Sequence, residues 1–249
     1  GWWIFRAVFR LSAPIAPDFV PTMSTAPSHS GFHVVMIFPS IHVANASFSQ
    51  RSSHHRMVTR SPSAWIGVSR IISTRSLLRF GLSFTYRDGF LTDPYKLNDN
   101  RPDERKEWTI STGYRHFFDA PNAALHADYR YFDDDWGVGS HTLDLAWYQN
   151  LGDLTQLIPY ARYYSQGQAD FFGNLVDLSD RYYSQDYRLS SFGAITVGLR
   201  LRQELGNWVV NLSGERYRTD ESWGVYNGDE SPALVDYWRY SFGLDYIFR

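Results

Sequence analysis

The chain has 249 residues, a net charge of −2 and no cysteine, and 17% of its residues are aromatic. Without cysteine, disulfide bonds, thiolate metal sites and cysteine nucleophiles are excluded. No apolar run reaches the roughly 18 residues of a membrane-spanning helix, but the strands of a membrane barrel are shorter and leave a much weaker hydropathy signal.

Residues 1–75 show no sustained period of 2 or 3.6. Before Asp88 the chain holds nine arginines and one acid, whereas from Asp88 onward it holds 15 basic and 25 acidic residues. The early arginines are scattered among serine, proline and histidine, so we expect no nucleic-acid partner. A poor match to a secretory signal has Phe32–Phe38 as its apolar run and Ala44-Asn45-Ala46 as its cleavage site. The favoured alternative is an irregular segment that does not fold with the remaining chain.

From Leu78 onward, apolar and polar residues alternate with a period of two. Because successive side chains of a strand point to opposite faces, each such segment predicts a strand with one apolar and one polar face. Eight segments of about ten residues are expected, which is the length that a tilted strand needs to cross a bilayer. They lie near residues 78–86, 108–115, 123–132, 143–148, 157–164, 189–201, 208–213 and 238–248.

The connections between these segments alternate in length. Short turns are expected near 119–122, 151–153 and 206–207, and long polar loops at 88–105, 133–139, 166–187 and 220–236. Short turns at one end and long loops at the other are typical of outer-membrane barrels. The sequence therefore predicts an all-β fold, an antiparallel up-and-down transmembrane β-barrel over residues 76–249, located in the bacterial outer membrane.

Charged and titratable residues recur on the polar face of the expected strands. Alternation alone does not say which face is inside, and a soluble barrel fits it equally well. Large aromatic residues near strand ends, as in interfacial girdles, favour the membrane. These aromatic residues are Trp108, Tyr129, Tyr131, Trp147, Trp208 and Trp238. The residues then expected to line the lumen are Arg115, His126, Asp128, Arg130, Asp144, Arg200, Arg202, Glu215, Arg239 and Asp245.

The last expected strand carries a candidate assembly signal. From Ser241 it reads polar-x-Gly-x-x-apolar-x-apolar, with Gly243, Tyr246 and Phe248 at the defining positions. This pattern resembles the signal that the barrel-assembly machinery reads on a final strand. Such assembly signals usually end on the aromatic residue itself, whereas in this chain Arg249 follows Phe248. We therefore expect outer-membrane lipid and the barrel-assembly machinery as partners.

Several short segments resemble, in the same order, an uncharacterised bacterial family known as domain-of-unknown-function family 3570. They are residues 91–96, 101–105, 128–137, 140–142, 162–166 and 186–190. The resemblance covers residues 76–249 and implies an outer-membrane barrel. Family members are usually much longer, so it also implies that this chain is similar to the C-terminal part of a larger barrel. It implies no activity and no catalytic residue.

Asp133, Asp134 and Asp135 form the one acidic run with a potential for metal binding, and two glycines follow it. Three carboxylates with loop carbonyls can hold Ca²⁺, which takes roughly six to eight oxygen ligands. The spacing is not that of an EF-hand, and a solvated acidic loop is the favoured alternative. We expect no cofactor, and a divalent cation at this loop stays open.

The residue types of a serine hydrolase are present as Ser140, His141, His126 and Asp128. Parity places His141 on the apolar face and His126 with Asp128 on the polar face, so we expect no enzyme. The leading function is a pore or structural barrel, a ligand-binding barrel is the alternative, and a barrel hydrolase is third. An eight-stranded barrel fills its interior with its own side chains, and this filled state is the favoured expectation, whereas additional strands would open a wet channel of weak charge selectivity.

Overall fold

The computed structural model describes residues 61, 63–93, 95–96, 98–175, 177–229 and 231–247 with their side chains, and residues 4–7, 33–37, 42–45 and 58–60 as backbone strands. No helix in this described part is long and apolar enough to cross a membrane. Two 3₁₀ turns, Tyr187–Leu189 and Glu221–Trp223, lie in connecting loops.

The described chain is otherwise β-structure and loops. Four short strands come first, β1 (Ile4–Ala7), β2 (His33–Ile37), β3 (His42–Asn45) and β4 (Val58–Ser61). Nine long strands and two short ones follow, namely β5 (Ser63–Ser73), β6 (Ser76–Asp88), β7 (Asp99–Asn100), β8 (Glu104–Phe118), β9 (Ala123–Asp134), β10 (Ser140–Leu151), β11 (Thr155–Gln166), β12 (Tyr183–Ser184), β13 (Phe192–Leu205), β14 (Trp208–Asp220) and β15 (Tyr237–Ile247).

The nine long strands form an antiparallel meander in which each pairs with the next along the chain. At one end of this sheet β1 pairs with β15, and at the other β2 pairs with β5 while β3 pairs with β4. Among the described residues no pairing joins β1 to β2 or β3, so the sheet is open there. The prediction of an antiparallel up-and-down β-fold is confirmed, with nine long strands where eight were expected.

The additional strand is β5, which lies inside the segment 1–75 that was expected to be irregular. It pairs with β6 over most of its length, from Ser63 opposite Thr85 to Ser73 opposite Ser76. Its alternation is weak because Trp65 lies on the polar face, where its ring covers the space above Gly67. The expected irregularity is therefore wrong for residues 63–73, and short strands also occur at β1 to β4.

The expected alternation of connection lengths is confirmed. The turns between β8 and β9, β10 and β11, and β13 and β14 are short, and each contains a residue in the left-handed region. These residues are Asn122 at φ 49°, Gly152 at φ 70° and Gly206 at φ 65°. Asparagine and glycine tolerate this backbone conformation best, which is why they close tight hairpins. All long loops therefore leave the sheet at its other end.

Candidate functional site: the polar face and its loop cap

The ten residues expected to line a lumen lie on one face of the sheet. Directly paired residues of neighbouring strands share a face. Asp128 pairs with Asp144, Arg115 with His126, and Glu215 with Arg239, and residues two positions away along each strand extend the same face. By this register all ten, from Arg115 to Asp245, belong to what we call the polar face. Whether that face encloses a lumen stays a prediction.

Two aspartates at the centre of the polar face hold three arginines. Arg115 binds Asp128 through two hydrogen bonds of 2.8 and 2.6 Å from Nη2, and Arg79 Nη2 lies 3.5 Å from the same carboxylate. On the neighbouring strand, Arg162 Nε donates to Asp144 Oδ1 at 2.6 Å. The first set of pairs joins β6, β8 and β9, the second joins β10 and β11, and Arg162 was not among the expected residues.

Glu215 is the most buried acid of this central region, with 6% of its surface exposed. It accepts a 2.5 Å hydrogen bond from the Tyr160 hydroxyl, and Arg239 Nε lies 2.8 Å from its other oxygen. The Tyr160 ring lies over Gly198, where a Cβ would collide with it, and Arg200 lies 4.2 Å from the centre of that ring. Glycine at this position therefore lets an aromatic side chain lie flat along the polar face.

The opposite face of the nine long strands is apolar. Its large side chains are exposed, for example Leu145 at 42%, Val197 at 57% and Phe242 at 56%. All six aromatic residues expected in girdles are on this face. Trp208 and Trp238 are eight positions apart in the β14–β15 register, about 26 Å along a strand and about 20 Å once a membrane strand's tilt is included. That spacing approaches the height of the apolar band of outer-membrane barrels.

The long loops pack together at one end of the polar face. We call the described residues of 89–103, 135–139 and 167–191 the loop cap. Its apolar core is contiguous with Phe132 on the polar face of β9, and Gln166 of β11 donates to the carbonyls of Arg188 and Ser190 at 3.0 and 2.6 Å. The buried core side chains are Trp136, Val138, Ala169, Phe172 and Leu189. The cap therefore lies on the polar side at the long-loop end.

Buried ion pairs join the segments of the cap. Asp186 is fully buried and accepts hydrogen bonds from Arg101 Nη2 at 2.7 Å and from Arg188 Nε at 2.8 Å. Arg101 Nε also donates to Asp99 at 2.9 Å, and Arg188 Nη2 donates to Asp93 at 2.7 Å. Two loops far apart in the chain are thus held together by arginine bridges, and sequence reasoning missed all five residues.

Acid is expected to open the loop cap. Burial by itself raises the pKa of Asp186, but hydrogen bonds from Arg188 and Arg101 outweigh it and hold the pKa at about 2, below its ordinary 3.8. A carboxyl with a lowered pKa contributes stability that is fully present above its ordinary pKa and is lost as pH falls through the folded value. The protection of the amides of residues 183–190 against hydrogen exchange, corrected for the intrinsic pH dependence of exchange, is therefore expected to stay high at pH 5 and to fall between about pH 4 and 2. Exchange already fast at pH 5 would contradict this.

The three aspartates of the metal candidate point to different partners. Asp133 accepts from the Trp108 indole at 3.0 Å, and Asp135 accepts from the Lys106 amide at 2.9 Å. Asp134 is buried, binds Arg105 and accepts from the amide of Val138. The described residues contain no cluster of three metal-ligating side chains, so the structure does not gather these aspartates into the Ca²⁺ site that the sequence left open. These carboxylates stabilise the loop.

The hydrolase residues are also dispersed. His141 lies on the apolar face and contacts the hydroxyls of Tyr129 at 2.6 Å and Tyr226 at 3.0 Å. Ser140 shares the polar face with His126 but pairs with Phe132, six positions along the strand from that histidine. Six positions correspond to about 20 Å, so no nucleophile and base meet here.

The candidate assembly signal lies in β15. Gly243 pairs with Asn211 on the polar face, and Tyr246 meets Trp208 edge to face at 4.7 Å on the apolar face. Phe248, the third residue of the signal, lies outside the described residues. The recognition of this strand by an assembly machinery stays a prediction.

A family model described as "Protein of unknown function (DUF3570)" matches residues 24–232. The match begins upstream of residue 76, where the family resemblance was expected to start, and ends before β15. The expected upstream boundary is therefore wrong, and residues 24–75 include family sequence. No curated protein matches the chain.

Two solved structures of OmpT, an outer membrane protein of Vibrio cholerae, are similar in fold. The in-vitro folded protein has a TM-score of 0.51 at 10% identity, covering 84% of this chain and 63% of that one. The outer-membrane expressed form has a TM-score of 0.50 at 8% identity, covering 79% and 62%. The chain therefore has an outer-membrane β-barrel-like fold, and it spans less than two thirds of the length of these structures.

Proposed function

The chain belongs to the family described as "Protein of unknown function (DUF3570)", and from that premise we propose that it is an integral outer-membrane pore rather than an enzyme. In this proposal the apolar face contacts lipid and the polar face borders a water-filled path. Further strands complete the barrel, and β15 with Gly243 and Tyr246 is the strand that the assembly machinery recognises.

One observation carries the proposal, namely the separation of charge between the two faces over the four middle rows of the sheet, from the row of Arg130 to the row of Arg200. Charged side chains in a membrane protein avoid lipid and face water or a partner. Arg130, Arg162, Arg200 and Arg239 are all exposed on the polar face, whereas the opposite face exposes leucine, valine and phenylalanine. A dry, filled interior would have to bury these guanidinium groups at a cost of several kcal/mol each. A water-filled path avoids that cost.

A ligand-binding barrel is the second candidate, and a cleft in the loop cap favours it. The cleft has a volume of about 540 Å³, and its lining includes Trp136, Phe171, Tyr182 and Asp180. Ligand pockets commonly span roughly 300–1,000 Å³ and combine aromatic with polar side chains. This cleft lies on the loop cap, away from the central arginines of the polar face. A ligand site there is compatible with a pore, because it would bind a solute before the solute enters the water-filled path.

Planar-bilayer recording tests the pore. The purified full-length protein is expected to require detergent for extraction and to insert with discrete conductance steps in potassium chloride. The control is the same preparation heated until its β-structure is lost, which is expected to give no steps. A folded barrel that inserts but carries no current overturns the pore and leaves the binding barrel as the better candidate.

A further inference from the structure

The centre of the polar face carries more positive than negative charge. Four successive cross-strand rows, from the row of Arg130 to the row of Arg200, cover the middle of the nine long strands. They contain three carboxylates, Asp128, Asp144 and Glu215, and six arginines, which we call the arginine belt. The belt consists of Arg79, Arg115, Arg130, Arg162, Arg200 and Arg239.

We propose that the pore selects anionic solutes that carry carboxylate or phosphate groups, and that Arg130 and Arg200 are the residues that bind them. This inference rests on the proposed pore and names its substrate class. A guanidinium group presents a planar fork of N–H donors that fits both kinds of oxyanion and is more specific than a mobile ammonium group.

The three carboxylates of the belt are already occupied. Asp128 serves two arginines, Arg115 at 2.6 Å and Arg79 at 3.5 Å, and Asp144 binds Arg162. Glu215 binds Arg239 and the hydroxyl of Tyr160. Each of the three carboxylates therefore already has a positively charged partner, and none of them pairs with Arg130 or Arg200.

Arg130 and Arg200 have no carboxylate partner within the described part of the chain. Each is exposed and lies against an aromatic ring, Arg130 at 5.7 Å from the centre of Phe132 and Arg200 at 4.2 Å from that of Tyr160. Ring contact fixes the plane of a guanidinium group without neutralising its charge or using all its N–H donors. Both side chains are therefore preorganised to receive an anion from the water side.

Arg79 adds to the excess of positive charge at the centre of the polar face. It shares Asp128 with Arg115, and its Nε is buried without a hydrogen-bond partner among the described residues. Two guanidinium groups on one carboxylate leave a net positive charge beside Arg130, which is two positions from Asp128 on β9. In a narrow path with low-dielectric walls, such fields attract solutes of opposite sign and repel those of like sign.

Two arginines on the apolar face of β14 provide a matched comparison. Arg216 and Arg218 share Asp236 at 3.1 and 3.4 Å, so each has an acidic partner. They lie on β14, as do Glu215 and Ser213 of the polar face, but point to the other side. Removing them changes the net charge of the protein as much as removing Arg130 and Arg200, without touching the polar face.

The test is the reversal potential in a potassium chloride gradient, followed by block with citrate or pyrophosphate. The unaltered protein is expected to give the sign at which chloride carries most of the current. Both anions are expected to block it, citrate representing carboxylate solutes and pyrophosphate representing phosphate solutes. The R130Q/R200Q variant is expected to move the reversal potential toward zero and to raise the half-blocking concentrations roughly tenfold or more. R216Q/R218Q is expected to behave as the unaltered protein.

A second variant guards against a folding defect. R130K/R200K keeps both charges but loses the planar fork, so it is expected to retain the sign of the reversal potential and to bind the blocking anions more weakly. A protein that conducts with potassium carrying most of the current, or with selectivity that R130Q/R200Q leaves unchanged, overturns this inference alone. A folded protein that carries no current overturns the pore and this inference together.

Discussion

Replacing Asp186 with asparagine is expected to open the loop cap while leaving the central sheet folded. The carboxylate is fully buried and receives N–H donors from Arg101 and Arg188. An amide keeps the shape but removes the charge, so Arg101 and Arg188 lose the counter-ion that they share and keep only Asp99 and Asp93. Breaking a buried ion pair in this way costs about 3–5 kcal/mol. The cap core has five buried apolar side chains, so its stability cannot easily absorb such a loss.

Limited trypsin digestion measures this effect. Arg188 lies in the cap within the 3₁₀ turn that Asp186 begins, so cleavage after Arg188 requires the cap to open. A loss of about 3 kcal/mol raises the open population, and with it the cleavage rate, by roughly a hundredfold. Asp177→Asn is the matched control, because Asp177 is exposed and accepts only a local hydrogen bond from the Ser179 amide. Equal cleavage rates in the two variants would contradict a role of Asp186 in holding the cap closed.

The central sheet could be predicted from the sequence because face assignment in a strand is local. Each residue's side depends on the parity of its position, so His126 and Asp128 fall on one face whatever their neighbours are. The same rule placed His141 on the opposite face from His126 and Asp128, as the structure shows. The strand near residues 157–164 was ambiguous, and the structure resolves it by placing Pro159 on the apolar face and Tyr160 on the polar face.

The strand β5 was missed because its two faces look alike in sequence. Ile66 and Val68 occupy the apolar face, but Trp65 and Ile71 occupy the polar one, so the period of two is blurred. Trp65 fits there only because Gly67 leaves room for its ring. A single sequence contains no sign of that packing, since it depends on how a side chain folds over a neighbouring position.

The ion pairs of the cap were beyond sequence reasoning for a different reason. Arg101 and Asp186 are 85 positions apart, and Arg188 and Asp93 are 95 apart. Nothing in local composition says which acid of one loop meets which arginine of another, because the pairing follows from where the sheet places the loop ends. The family resemblance did include the segments 101–105 and 186–190, but it did not predict that they contact each other.

Substituting Leu145 with arginine is expected to destabilise the protein in lipid, whereas the same substitution at Ala146 is not. The two residues are adjacent near the middle of β10 and point to opposite faces. Leu145 is exposed on the apolar face between Ala127 and Ala161. An arginine on the lipid face of a barrel near the bilayer midplane costs about 2–4 kcal/mol.

At position 146 the new guanidinium group would lie on the polar face, two positions from Asp144, which borders water in the proposed pore. We therefore expect less than about 1 kcal/mol of change there. Urea titration of the two variants in liposomes, followed by tryptophan fluorescence, gives the free energies of unfolding side by side. The comparison decides which face contacts lipid, because both variants add the same charge at the same depth. If Ala146→Arg were the costlier substitution, the faces would be reversed, and the apolar residues would form the core of a soluble barrel.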